Sequence, residues 1–330
     1  HVPRELRAPR IPVKKGLLEN PTRNGYLQTA RLKMLVRNGL VGDWRLSDGD
    51  FMRNFRLPTV EDKLEALKRR NPIAREERIS FDEITHTYTV DGIRVPISVT
   101  GLIHQFCEDF DASSAIEQMK ARDWDVKQEN NRKEDGDVMT DEEIAATWRN
   151  NGEIQRSRGQ LLHYHAEQFL NGCTIEEPSS PEFQQFLEIH HALIEHFSIF
   201  RTEVSVFHCG MKLAGQIDCL CRDNEGNLVI WDWKRSKRIV IDCPRQMKPP
   251  LQHLPDCNYS HYSIQLSIYR YILESEYGYH VSGMFLGVVH PLSVGPVCVE
   301  IPRLDDEIAL IVEHCGASPP NPGAIAEFVV

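Results

Sequence analysis

The sequence predicts an α/β fold, a central mixed β-sheet flanked by helices, with a basic and mainly helical appendage in front of it. Three observations carry this expectation. Three β-like stretches follow in close succession, at 202–208, 212–222 and 227–234, and the run Asp223-Asn224-Glu225-Gly226-Asn227 supplies a turn between the last two. Helical patterns bracket this β-meander, at about 150–171 and 181–196 upstream and at 262–276 downstream. An apolar run at 281–289 then supplies another strand.

At 330 residues, with 41% apolar and 26% charged side chains, the chain can bury a sizeable core as an ordinary globular protein. The expected division is an appendage over 1–77 and a main domain over 78–330. The sequence opens on His1, has no secretory-type apolar core near it, and nowhere holds the roughly 20 apolar residues that span a bilayer. It therefore reads as soluble and intracellular, without membrane association, and does not choose between nucleus, mitochondrion and cytoplasm. Nothing in it names a protein partner.

Nine cysteines lie mostly alone, without a CxxC pair, so reduced thiols are expected. Cys219 and Cys221 share one face of their strand, which suits core packing and also permits a metal pair. The net charge of −10 is unevenly spread. Residues 1–40 hold nine Lys and Arg against two acids, +7, which leaves −17 for the rest. Such a basic arm grips phosphates locally or is a solvated tail.

Helices are expected near 26–39 and 60–70 in the appendage. The segment 86–96 alternates β-formers about Asp91-Gly92, a hairpin signal. Ser98-Val99-Thr100 looks like a helix N-cap before Leu102, Ile103 and Phe106, and another helix starts at about Ser113. Residues 120–140 are charged and poor in apolar side chains, as a solvated loop or exposed helix would be. Thr140-Asp141-Glu142-Glu143 opens a further helix with a capping-box pattern.

The chemistry centres on Asp218 and Asp232, which stand in otherwise apolar strands where an unpartnered charge is expensive. Asp232 and Lys234 are two apart and so point to one face. If Asp218 joins them, two carboxylates and an ammonium converge. Two carboxylates suit Mg²⁺ or Mn²⁺, which keep waters and complete their shell with substrate phosphate. Lys234 would orient or deprotonate a water, or neutralise developing charge. A buried salt bridge without catalytic role remains the alternative. Trp231 and Trp233 point away from Asp232, into core. Arg235, Lys237, Arg238, Arg245 and Lys248 form a basic strip that would hold a phosphate backbone, or else a solvated loop.

Gly215-x-x-Asp218 followed by Asp232-Trp233-Lys234 resembles the PD-(D/E)xK nuclease signature, with Ile217 in place of the proline. Gly159-Gln160-Leu161-Leu162-His163 resembles the GxxxH helix of the RecB-like branch, and Gln265-Leu266-Ser267-Ile268-Tyr269 its QxxxY helix. The resemblance spans about 86–291, and the hairpin entering Pro96–Thr100 is similar to that of phage, giant-virus and mitochondrial genome maintenance exonucleases. It implies a restriction-endonuclease-like core and hydrolysis of DNA, single-stranded or at duplex ends, with one or two Mg²⁺ or Mn²⁺ ions. His163 would then be a metal ligand beside Asp218 and Asp232, and Glu203 an additional acid. Glu167 shares the helical face of His163, whereas His165 does not. Gln265 and Tyr269 would contact nucleic acid and brace the site, or be satisfied within the core. The cysteine spacing of iron–sulfur nucleases is missing, so no cluster is expected. Three other roles stay open: endonuclease action for a mobile element or virus, a catalytically silent DNA-binding module, and a structural protein with a chance motif.

Overall fold

The computed structural model describes residues 60–173, 175 and 180–317. The helix expected near 26–39 and the most basic part of the chain lie outside the described residues. The first described element, α1 (Val60–Arg70), ends in Lys68, Arg69 and Arg70, cations favourable at a helix C-terminus. The linker after it is joined to the body: Ile73 is in the main core, and Arg201 donates to Glu76 at 2.9 Å.

Strands β1 (Ile79–Asp82), β2 (Thr87–Val90) and β3 (Ile93–Arg94) form a small antiparallel sheet. The Asp91-Gly92 turn joins β2 to β3 as the hairpin pattern requires, while β1 goes beyond that pattern. Strand β4 (Ile97–Ser98) leads into α2 (Val99–Gln105), and Ser98 Oγ accepts the Gly101 N–H at 3.0 Å as the expected N-cap.

After α3 (Ala112–Lys127) comes α4 (Asp141–Leu170), a single helix of 30 residues. Thr140 and Glu143 form the full capping box at its start. The sequence suggests a separate helix from about Asn150, yet Asn150-Asn151-Gly152 is traversed without a break. These residues lower helix propensity by only about 1 kcal/mol each or less, which a helix anchored at both ends absorbs. Its neighbour is α5 (Pro181–Leu193).

The large sheet has six strands. β5 (Ser198–His208) runs antiparallel to the full length of β6 (Leu213–Arg222). The other edge of β6 is divided. β4 pairs with it in parallel at Leu213 and Ala214, and β7 (Leu228–Arg235) pairs antiparallel only from Cys219 to Arg222. β7 then pairs in parallel with β8 (Val281–Val289), which is bordered by β9 (Val297–Glu300). The crossover from β7 to β8 contains α6 (Asn258–Tyr277), and α7 (Asp305–His314) follows β9.

Two apolar layers enclose the sheet. α2, α6 and α7 meet Leu220, Ile230 and Leu286 on one face. α4 and α5 meet Cys219, Cys221, Trp231 and Trp233 on the other. Every residue of α6 from Ser263 to Arg270 is buried, as befits a helix packed on several sides. Cys219 and Cys221 are free thiols with sulfurs 3.7 Å apart.

Gly287 of β8 shows how tightly the second layer is packed. A Cβ there would lie 2.6 Å from the Trp233 ring, which is itself wedged against Phe186 at 5.0 Å between centroids. Gly287→Ala should destabilise the chain by about 1–3 kcal/mol through overpacking. Urea unfolding should show a lower midpoint at an unchanged m-value.

Candidate active site

Asp218 lies where the far edge of β6 passes from β4 to β7. The strands fork there, and the ladder is continued by a side chain: Trp233 N–H donates to Asp218 Oδ2 at 2.8 Å. The two-residue alternation also fails at this point. Ile217 packs in the α2/α6 layer, yet Cys219, two residues on, packs in the α4/α5 layer. Across the ladder, Glu203 takes a left-handed φ of 48° between Thr202↔Cys219 and Val204↔Ile217. For a residue with a Cβ that costs roughly 1–3 kcal/mol, and such strain is kept where the surrounding structure imposes it.

The irregularity brings side chains from several elements together. His163 of α4 places Nδ1 at 3.3 Å from Asp218 Oδ2. Ligand atoms of His163, Glu203 and Asp218 all lie within 4.8 Å of one another. On β7, Lys234 Nζ stands 2.7 Å from Asp232 Oδ2 and donates to Gln265 Oε1 of α6 at 3.2 Å. Gln265 Nε2 donates in turn to the Tyr269 hydroxyl at 3.4 Å. The Tyr262 ring lies 4.9 Å from Lys234 Nζ, within cation–π range. Tyr269 rests on Gly215, where a Cβ would come within 2.7 Å of its ring, so the signature glycine sets how closely α6 approaches β6.

Asp218 is 8% exposed and Asp232 1%. Burial opposes the ionisation of Asp218, but His163, Lys234 and the Trp233 N–H together hold its carboxyl below the usual range. Burial and the Asp218 charge push Asp232 up to about 6, against the pull of Lys234. Burial works against the charged forms of Lys234 and His163, yet the two aspartates raise both above their ordinary values. Burial, then Asp218 and Glu167, push Glu203 well upward.

Asp232 also provides the test of whether a cation fits. Despite the nearby ammonium, neither Oδ1 nor Oδ2 accepts a hydrogen bond of proper geometry. A fully buried carboxylate whose Oδ1 has no partner, and whose Oδ2 meets only one ammonium, is costly, and a divalent cation lowers that cost. The donor set of carboxylates and one imidazole lacks sulfur, as hard cations prefer.

The basic strip is not brought to the site as a unit. Arg235, with a side chain only 4% exposed, pairs with Glu182 at 2.7 Å and with Gln155, binding β7 to α5 and α4. Arg245 pairs with Asp256 at 2.8 Å, and Lys248 lies 3.8 Å from Glu108. Lys237 and Arg238 are exposed and carry no ion pair among the described residues. Tyr262 goes unnoticed in the sequence, although its spacing to Gln265 and Tyr269 places all three on one helical face. His165 stacks edge-on against Phe183, away from the site.

A family model of the PD-(D/E)XK nuclease superfamily matches residues 101–308, and the chain belongs to that superfamily. Its nucleases generally use divalent metal ions. A comparison with curated proteins finds no match. Among solved structures, SSO0001 is 14% identical at a TM-score of 0.25, over 66% of this chain and 73% of its own. A protein from Eubacterium rectale, provisionally described as an exonuclease, is 9% identical at a TM-score of 0.26, over 83% of each chain. The family assignment rests on the family model alone.

Among the described residues, no helix is long and apolar enough to cross a membrane. In metal-free protein the Asp232 carboxyl keeps its proton up to about pH 6 when folded, but loses it near the ordinary 3.8 when unfolded. Its contribution to stability is therefore complete below about pH 4 and is lost as pH rises through about 6. Urea unfolding in EDTA across this window should show Asp232→Asn flattening the pH dependence; a variant with an unchanged profile would place the shifted proton elsewhere.

Proposed function

We propose that this protein is a Mg²⁺- or Mn²⁺-dependent deoxyribonuclease of the RecB-like branch, exonuclease-like or with a preference for single strands. The observation that carries the proposal is the buried Asp232 carboxylate, paired at Oδ2 with Lys234 on the same strand, left without a partner at Oδ1, and within the field of Asp218. A purely structural ion pair would be expected to satisfy its carboxylate with hydrogen bonds, since half-satisfied buried pairs are destabilising.

His163, Asp218 and Asp232 would hold the ion; the mutual approach of His163, Asp218 and Glu203 within 4.8 Å supports the first two and favours Glu203 as a further ligand. When bound, such an ion neutralises charge on the phosphate and lowers the pKa of a coordinated water. Lys234 remains an ammonium beside the two aspartates, so it acts as a hydrogen-bond donor to the attacking water or to a phosphate oxygen rather than as a base. Gln265 holds that ammonium in place, and Tyr269 holds Gln265. Lys237 and Arg238, exposed just beyond β7, would grip backbone phosphates. The choice of DNA and the exonuclease-like or single-strand preference follow from the motif resemblance.

End-labelled single- and double-stranded DNA, incubated with Mg²⁺, Mn²⁺ or EDTA, should be cut only with metal. Asp218→Asn and Asp232→Asn should abolish cutting while leaving DNA binding intact. Lys234→Ala should lower the rate about 10²–10³-fold, the usual cost of losing one hydrogen-bond donor to the developing charge. Undiminished cutting by either aspartate variant would refute the site, and metal-independent binding without any cutting by the wild type would leave a silent DNA-binding module.

The double change Lys237→Ala/Arg238→Ala should weaken DNA binding without sequence preference. It should also lower the salt slope of log Kd by up to about 2, one per phosphate contact. An unchanged slope in fluorescence-anisotropy titrations would mean that these side chains face solvent only.

A further inference from the structure

We propose that Cys107, Asp256 and His261 form a second metal site, suited to Zn²⁺, that fastens α2 to the head of α6. The proposal stands on residues outside the cluster around Asp218 and is independent of the nuclease reading. Cys107 lies just after α2, Asp256 just before α6, and His261 in the first turn of α6. Cys107 and Asp256 are buried, at 8% and 3% exposure. His261 Nε2 lies 3.2 Å from Cys107 Sγ and 2.7 Å from Asp256 Oδ1, and the three ligand atoms fall within 4.8 Å of one another.

The directions of approach separate this cluster from a nucleophilic relay. In a nucleophile–histidine–acid relay the nucleophile and the acid address opposite ring nitrogens. Here thiol and carboxylate converge on the same nitrogen, and the Cys107 S–H is turned to Ile103 O at 3.3 Å, so the sulfur faces the imidazole with its lone pairs as a ligand does, not as a proton donor in a relay. A cation at the point of convergence satisfies all three groups at once. The carboxylate is also prepared for that role. Its second oxygen, Oδ2, is held by Arg245 Nε at 2.8 Å and by the Glu108 N–H at 3.2 Å, leaving Oδ1 for the ion. Such outer contacts orient a ligand and tune its affinity.

A pocket lined by His104, Glu108 and Asp109 opens in front of the cluster, leaving room for a fourth ligand, water or protein. Thiolate with imidazole and one carboxylate selects Zn²⁺ over the hard cations suited to the Asp218–Asp232 site, so the two sites differ in chemistry. The position also gives the ion a task. Loop residues are drawn in beside it, with Lys248 N–H donating to Phe106 O at 2.7 Å and Asp256 N–H to Arg245 O at 2.8 Å. His261 lies one turn before Gln265 and next to Tyr262, both of which touch Lys234. Zn²⁺ here would set where the head of α6 sits, and act on Lys234 as a positioning device only.

Cobalt(II) is the probe, because a thiolate ligand gives it a sulfur-to-metal charge-transfer band that oxygen and nitrogen ligands do not. Full-length chain bearing Asp218→Asn, stripped by chelator, should develop this band and tetrahedral d–d bands up to one equivalent of cobalt, and zinc should bleach them. Cys107→Ser should lose the charge-transfer band, whereas Cys298→Ser should keep it. Arg245→Ala, which spares all three ligands, should weaken cobalt binding about 10- to 100-fold. The proposal is overturned if the chain, native by circular dichroism, gives no thiolate band, or if the band survives Cys107→Ser. Should Cys107→Ser fail to fold, unchanged affinity in Arg245→Ala overturns it equally.

Discussion

The arrangement of this protein turns on one costly constraint: Asp232 is a carboxylate in a strand that is buried on both faces, with one ammonium at Oδ2 and no partner at Oδ1. An apolar β7 would pack more cheaply between the two helical layers. Keeping a charge there requires Lys234 two residues on, and Lys234 in turn requires a polar partner from the covering helix, which Gln265 supplies. Gln265 is one of several buried polar side chains of α6, with Ser263, Ser267 and Arg270. The indoles of Trp231 and Trp233 take the opposite face and fill the second layer, so the alternation of one strand divides chemistry from core.

The fork in β6 solves a second problem, that of bringing helices from opposite faces of a sheet to one spot. A continuous sheet would separate α4 from α6. Because β4 and β7 each use only part of the free edge of β6, the ladder is open around Asp218, where His163 reaches in from α4. The broken alternation at Asp218 and the left-handed Glu203 are the local consequences. Both lower stability, and both sit where the acidic groups gather, the usual relation between strain and site.

The main strands and helices of the core were legible in the sequence because each has a simple period: two in β7, with apolar and polar residues on fixed faces, and helical spacing in α6. The run at 281–289 matches β8 exact to its ends, since turn residues bound it. Less legible were features decided by tertiary packing. β5 extends back to Ser198 and β9 is short, because pairing with neighbours decides them. α7, by contrast, was legible and went unnoticed, with an acidic first turn, Ile308, Ile311 and Val312 at helical spacing and Gly316 past its end. At the site, Asp218, Asp232, Lys234, Gln265 and Tyr269 could be placed on their elements in advance. Glu203 could be placed on its strand, but its backbone conformation could not, since no local pattern encodes a left-handed glutamate. Nor does any sequence signal pair Cys107 with residues about 150 positions away.

Charge was the least transferable property. Five cations from the end of β7 onward look in sequence like one binding strip. Folding assigns them different partners: Arg235 is taken up by Glu182 and Gln155 as an interlayer tie, and Arg245 by Asp256. A guanidinium that is desolvated and paired contributes little attraction to a distant phosphate, whereas an exposed, unpaired ammonium contributes its full counterion release. The effective phosphate-facing charge of this loop is therefore smaller than its formal charge. On the proposed reading, the acidic body as a whole would repel a nucleic-acid backbone, so association would depend mainly on local cations. A divalent ion held there, as proposed, would bear on substrate approach as well as on chemistry, since without it a phosphate would meet two buried carboxylates.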